Sequence, residues 1–181
     1  MIKDTVKQAL QDLFPDPEPV VEEPVAQEAD GEEAGDSKKK AKKKEEPRAN
    51  GVLERDHAKY GCDLDVQLEP GELLATVMIL DKASFFLESI TGVDWIKEDQ
   101  LEVVYDFSRY DFEICRVVIR TRTPRSTPLV PTISKIFPGA NWHERETHDF
   151  FGIKFDGHPH LVPLLLPEDA DFHPLLKDFK P

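Results

Sequence analysis

Between Asp16 and Asp36 the chain places nine acidic residues, no basic ones and several prolines, and six lysines then crowd into Lys38–Lys44. Like-charge blocks interrupted by proline cannot bury enough apolar surface to offset the entropy of ordering them. Residues 15–50 are therefore expected to be a disordered charged linker, which confines any packed core to residues 51–181, enough for one domain and a tail. Ahead of the linker, Ile2, Val6, Leu10, Leu13 and Phe14 fall at helical spacings. Residues 1–14 read as a short amphipathic helix, marginal in isolation. On a tether with a reach of roughly 30–36 Å it could dock on a second site of a partner; the plainer alternative is a solvated tail without function.

The formal net charge is −13, and residues 51–181 alone hold 14 basic and 23 acidic residues, a net of −9. A negative core argues against nucleic acid as a partner, because binding to phosphate backbones draws on clustered positive charge. No run reaches the roughly 18–20 apolar residues that span a bilayer, and the N-terminus lacks the uninterrupted apolar segment of a signal peptide. The expectation is a chain that stays in the cytoplasm, with any membrane association made through a partner. Cys62 and Cys115 are expected to be reduced. They are too few for an iron–sulfur cluster, which takes four cysteines.

Within 51–137 the pattern predicts an α+β domain, a sheet with helices on one face. Leu73–Leu80 is a continuous apolar run that suits a buried strand. Asp81–Ser84 then offers a helix start, with Phe85, Phe86, Leu87 and Ile90 as its apolar face and Gly92 as its end. Leu101–Phe107 and Ile114–Arg122 alternate as strands, and the link Ser108–Glu113 is short enough for a hairpin. Residues 129–138 are expected to form a helix that stops at Pro138-Gly139. On the second strand Cys115, Val117 and Ile119 point one way and Arg116, Arg120 and Arg122 the other. Those arginines either meet cross-strand partners such as Glu102 and Asp106 or form a basic stripe that receives an acidic surface of a partner.

Residues 138–181 differ in kind. Prolines, aromatics and charges alternate without sustained helix or strand periodicity after Gly152, so this segment predicts an extended tail that is buried against another protein. A metal site is the first alternative. His143-Glu144 and His148 approach the zinc-protease pattern H-E-x-x-H with one residue too many, and residues i and i+5 of a helix lie about 140° apart around its axis. Both imidazoles could not reach one ion. Glu144, Glu146 and Asp149 lack an accompanying nucleophile or phosphate-binding loop, and with Arg145 nearby they read as charge-paired structural carboxylates.

Pro138-Gly139-Ala140-Asn141-Trp142, Glu144-Arg145-Glu146, Asp149, Phe151-Gly152-Ile153, Phe155 and Gly157-His158-Pro159 closely resemble the signature of the 30 kDa subunit of respiratory complex I, the NADH:quinone oxidoreductase. The resemblance is strongest over about 45 residues and extends from about residue 70. It implies a structural subunit without cofactors of its own, whose domain and tail pack on a hydrogenase-like large subunit and near a small iron–sulfur subunit. The membrane arm is then reached indirectly, and iron–sulfur clusters or a Ni–Fe centre belong to the partners. By the same resemblance Glu144, Arg145, Glu146, Asp149 and Gly152 fix the path and contacts of the tail. With His158, Pro159, Lys177 and Asp178 they make up the expected partner interface. Val162, Pro163 and Leu176 stand where the respiratory enzyme has arginines. Leu165-Leu166-Pro167-Glu168-Asp169 looks more like the branch found in ferredoxin-linked membrane-bound [NiFe] hydrogenases. A quinone-linked dehydrogenase, a sulfur-reducing complex, an independent metalloenzyme and a transient assembly adaptor are the other readings.

Overall fold

The computed structural model describes residues 2–14, 50–111 and 114–180; the linker expected at 15–50 lies outside these except for Asn50. Five strands, β1 (Gly51–Glu54), β2 (Leu64–Leu68), β3 (Phe86–Trp95), β4 (Gln100–Arg109) and β5 (Cys115–Pro124), form one sheet in the order β1-β2-β5-β4-β3. Every neighbouring pair is antiparallel except β2 and β5, which run parallel. The predicted hairpin is the β4–β5 pair, with Arg109 opposite Cys115.

Alternation along the strands decides where the core lies. Leu64, Val66 and Leu68 of β2, Leu101, Val103, Tyr105 and Phe107 of β4, and Cys115, Val117 and Ile119 of β5 are buried in one cluster. Helices close that face: α1 (Ile2–Gln11) contributes Val6 and Leu10, α3 (Leu73–Lys82) contributes Leu73, Val77 and Leu80, and α4 (Ala140–Phe151) contributes Ala140. The short α2 (His57–Tyr60) buries nothing. This is the expected α+β architecture with helices on one face.

The other face carries charge, and its arginines meet the cross-strand acids. Arg116 pairs with Asp106 at 3.1 Å, Arg122 with Glu102 at 2.9 Å, and Arg120 with Asp65 at 3.0 Å. Arg122 also lies 4.4 Å over the Trp95 ring. Val104 and Val118 are buried on this face with Cys62, and arginine stems can shield apolar surface while their heads stay wet. Cys62 lies in this smaller cluster and Cys115 in the main core, both as free thiols.

Three expected elements differ. Leu73–Leu80 is helix α3 and not a strand. It follows a helix-starting turn at Glu69-Pro70-Gly71-Glu72, where each glutamate side chain accepts a hydrogen bond from the other's backbone and proline occupies the first helical position. The apolar run then buries one side, Leu73, Thr76, Val77 and Leu80, and leaves Leu74 and Met78 exposed. The helix expected from Asp81 to Gly92 is mostly strand β3, entered through Ser84 at φ 62°. Residues 129–138 hold a short strand, β6 (Leu129–Pro131), and then turns. Strand β6 pairs in parallel with β7 (Lys154–Asp156).

Helix α1 forms as the spacing predicts, but its apolar face is used inside this protein. Val6 and Leu10 are buried in the main core, and Lys3 and Lys7 clamp Glu54 of β1 at 2.7 and 2.8 Å. Burying one aliphatic group of this size stabilises by roughly 1.5–3 kcal/mol, which supplies what a ten-residue helix lacks alone. In this structure the apolar face of α1 packs on the domain itself.

Candidate functional site

Helix α4 is the platform on which the signature residues are displayed. Its C-terminus is closed by Gly152 in the left-handed region, φ 75°, donating back to the His148 carbonyl. It lies across β3 at Gly92, where an added Cβ would stand 2.4 Å from the Phe151 ring, so only glycine lets helix and strand approach this closely. From Gly157 onward the backbone runs back along α4, and three features of the helix hold it there.

Arg145 donates from Nε to the Val162 carbonyl at 3.0 Å and from a terminal nitrogen to the Pro163 carbonyl at 2.8 Å. Asp149 Oδ2 accepts from the next three amides, Leu164, Leu165 and Leu166, at 2.8, 2.7 and 3.2 Å. Burial pushes the Asp149 carboxyl up, but these three N–H groups and the nearby His148 outweigh it and hold the group below its ordinary 3.8. Further on, His173 Nδ1 meets the Asp149 carbonyl at 2.8 Å, and the His173 ring fills the space where a side chain on Gly152 would stand.

The tail is latched a second time at the sheet. Buried Asp94 of β3 accepts from the Lys177 backbone at 2.8 Å and faces Arg125 Nε at 3.1 Å. Arg125 in turn holds Asp178 at 2.6 Å. That contact lowers the Asp178 carboxyl and raises the Arg125 guanidinium from their ordinary values.

These contacts place the sequence-predicted residues. Arg145, Asp149, Gly152, Lys177 and Asp178 are brought together along the path of the tail. Glu144 points elsewhere, accepting from Ile133 N at 2.8 Å and from the Thr132 hydroxyl, and His158 is buried beside it. Glu146 is half-buried on α4 and Pro159 exposed. The expected pairing of these carboxylates with Arg145 does not occur: Arg145 is committed to backbone carbonyls, and Glu144 and Asp149 are satisfied by hydroxyl and amide donors. His143 and His148 do not converge, since His148 Nδ1 faces the Ile153 carbonyl at 2.9 Å. Among the described residues no three His, Cys, Asp or Glu side chains gather as a metal site.

The clasp leaves several large apolar side chains outward, beside the exposed acids Glu168, Asp169 and Asp171. Trp142 is 60% exposed, Leu165 61% and Leu175 52%, with Phe172 also exposed and stacked on Phe179 at 5.5 Å. Trp142 and Leu165 stand in the phrases quoted from the sequence, but none of these side chains was named there as an interface contact; the available signal was an apolar residue every few positions in a segment without periodicity. Among the described residues no helix is long and apolar enough to cross a membrane.

Comparison with known proteins agrees with this geometry. An NADH-quinone oxidoreductase subunit of Roseiflexus sp. (strain RS-1) is 38% identical over 126 residues, 67% of this chain and 72% of that protein. An F(420)H(2) dehydrogenase subunit of Methanosarcina mazei is 40% identical over 93 residues, 51% of this chain and 58% of that one. Among solved structures, one subunit of the membrane-bound sulfane sulfur reductase, an archaeal respiratory membrane complex, superposes with a TM-score of 0.59 at 29% identity, covering 65% of this chain and 71% of that one. Residues 66–181, which run from within β2 through β3, β4 and β5, helix α4 and the clasped tail, match the model of the respiratory-chain NADH dehydrogenase 30 kDa subunit, and the chain belongs to that family.

Proposed function

We propose that this chain is a non-catalytic structural subunit of a membrane-associated, complex I-like redox assembly, and that its clasped tail packs on a hydrogenase-like large subunit near a small iron–sulfur subunit. The observation that carries this reading is the exposure of Trp142, Leu165, Phe172 and Leu175. Backbone groups of residues 162–166 are spent on fixing the path of the tail over α4, and several of its large apolar side chains are left facing solvent. Aromatic and aliphatic anchors on a rigid support are what the centre of a protein interface is made of. On this reading the chain stays peripheral, at the cytoplasmic face, and the redox centres lie in its partners.

Three branches of the family have specific support. The phrase Leu165-Leu166-Pro167-Glu168-Asp169 favours a ferredoxin-linked membrane-bound [NiFe] hydrogenase. The names of the relatives favour a dehydrogenase that delivers electrons to a quinone or similar carrier, and the solved neighbour adds a sulfur-reducing complex. Purification of the tagged chain from its native membranes in mild detergent under anaerobic conditions separates them. Nickel and iron at a fixed ratio with ferredoxin-dependent hydrogen evolution supports the hydrogenase branch; iron without nickel supports the others. In the same preparation Leu165→Glu combined with Leu175→Glu should abolish co-purification of the large subunit while the isolated protein keeps its unfolding midpoint. Undiminished co-purification would remove the tail as the anchor.

A further inference from the structure

The clasp leaves one buried carboxylate unused. Glu144, in the middle of α4, has a wholly inaccessible side chain, and three other elements close on it. The loop after β6 supplies Thr132 and Ile133 as donors. The turn after β7 brings His158, equally inaccessible, with Nε2 at 3.8 Å. Strand β4 contributes Tyr105, which is fully buried, feels the Glu144 charge, and has a hydroxyl without a hydrogen-bond partner among the described residues.

None of the neighbouring bases neutralises this carboxylate. His158 Nδ1 accepts from the His160 amide at 3.1 Å, and its Nε2 faces the Asn141 carbonyl at 3.3 Å, so a single proton on Nε2 satisfies both ring nitrogens. A second proton would set Nδ1–H against the His160 N–H. On α4 itself, Arg145 is turned to the tail carbonyls and His148 to Ile153. An ionised Glu144 is thus held by neutral donors alone, in an interior where an unpaired charge is costly. The neutral acid, by contrast, has a place for its proton. Thr132 Oγ1 can accept from it while donating to Ser134 Oγ, 2.8 Å away and partly exposed, which also gives the proton a path to solvent.

We propose that Glu144 is a proton sensor for the root of the tail: protonated, it stays bonded to the 132–134 loop and packs as a neutral group against the His158 turn, and ionised, it places an uncompensated charge between them and loosens both. Burial pushes its carboxyl up to about 7, against the opposing hydrogen bonds from Thr132 and Ile133. Because the folded value lies above the ordinary 4.5, this contribution is full in acid and is lost as the pH rises towards 7. His158 acts in the opposite sense. Burial holds it below its ordinary 6.5, so its contribution is lost as the pH falls. Removing one group separates the two.

The test is hydrogen exchange of the full chain, corrected for intrinsic rates, at the amides of Ile133, Ser134, His158 and His160 from pH 5 to 8. Wild type is compared with Glu144→Gln, and the Glu144 carboxyl carbon of the wild type is titrated by NMR. The opening constant of wild type relative to E144Q should grow by about tenfold per pH unit between about pH 5 and 7 and then level off, with the carboxyl titrating near the same midpoint. A pH-independent ratio, or titration in the ordinary carboxylate range, would overturn the proposal. Should E144Q fail to fold, the wild-type titration decides, since an ordinary value excludes the sensor and a value near 7 that tracks the exchange supports it.

Discussion

Arg145 and Asp149, one helical turn apart on α4, grip consecutive peptide groups of the same strap with opposite chemistry. The guanidinium takes the carbonyls of Val162 and Pro163, and the carboxylate takes the amides of Leu164, Leu165 and Leu166. Because every contact is to backbone, the pair dictates a path while leaving the side chains of the strap free to face outward. An i, i+4 spacing places both groups on one face of the helix, so a single turn of α4 suffices.

Asp149→Asn should loosen the strap. The amide retains one oxygen acceptor but loses the charge that makes three N–H contacts worthwhile, at a cost of roughly 1.5–3 kcal/mol. Urea unfolding measures the loss, and chymotryptic cleavage at Leu164–Leu166 should accelerate in parallel. The pH dependence has a definite sign. With its folded value below 3.8, Asp149 contributes fully above that pH and the contribution disappears as the pH falls through the folded value. Wild type should therefore lose stability more steeply in acid than the D149N variant does.

Gly152→Ala should be costlier than a surface glycine change. A left-handed backbone costs a non-glycine residue roughly 1–2 kcal/mol, and the new Cβ would stand 2.6 Å from His173 Nε2. The His173 ring must leave, and with it the contact to the Asp149 carbonyl. A lowered thermal midpoint together with faster exchange around His173 is the expected result. A normal midpoint with an unchanged tail would contradict the clasp.

Much of this was legible in the sequence. The two alternating strands, their hairpin and the inward and outward sets of β5 follow from period-two patterning, because those strands are half-buried. Leu73–Leu80 was not, since a short apolar run of mixed Leu, Val and Ile fits a buried strand as well as a helix; Glu69-Pro70-Gly71-Glu72 was the local signal that decided it. Gly92 read as a helix stop, whereas its role is to admit the Phe151 ring, a tertiary contact that no local pattern encodes. For the site, Arg145 and Asp149 were named through the signature, whereas Asp94, Arg125 and His173 were not predicted from the sequence, and the direction in which each side chain points was not legible. Whether Arg145 meets a carboxylate or a carbonyl depends on where the strap returns, and an aperiodic segment holds no register from which to read that.

Arg125→Ala should be far more damaging than Asp178→Asn. Removing the guanidinium strands buried Asp94 without its counter-charge, which costs roughly 3 kcal/mol or more, whereas Asp178 is half-exposed and water replaces its contact. Denaturant midpoints of the two variants should rank in that order. Equal effects would mean that the latch draws its strength from the tail and not from Asp94.

Helix α1 has a consequence for how such a protein can change. The elements that flank the charged segment, α1 and β1, are tied to one body. Doubling the length of a flexible loop costs only about 0.6 kcal/mol. Insertions, deletions or a fused tag between Phe14 and Asn50 should therefore leave the domain standing, and a cut there should leave α1 seated as a separate peptide.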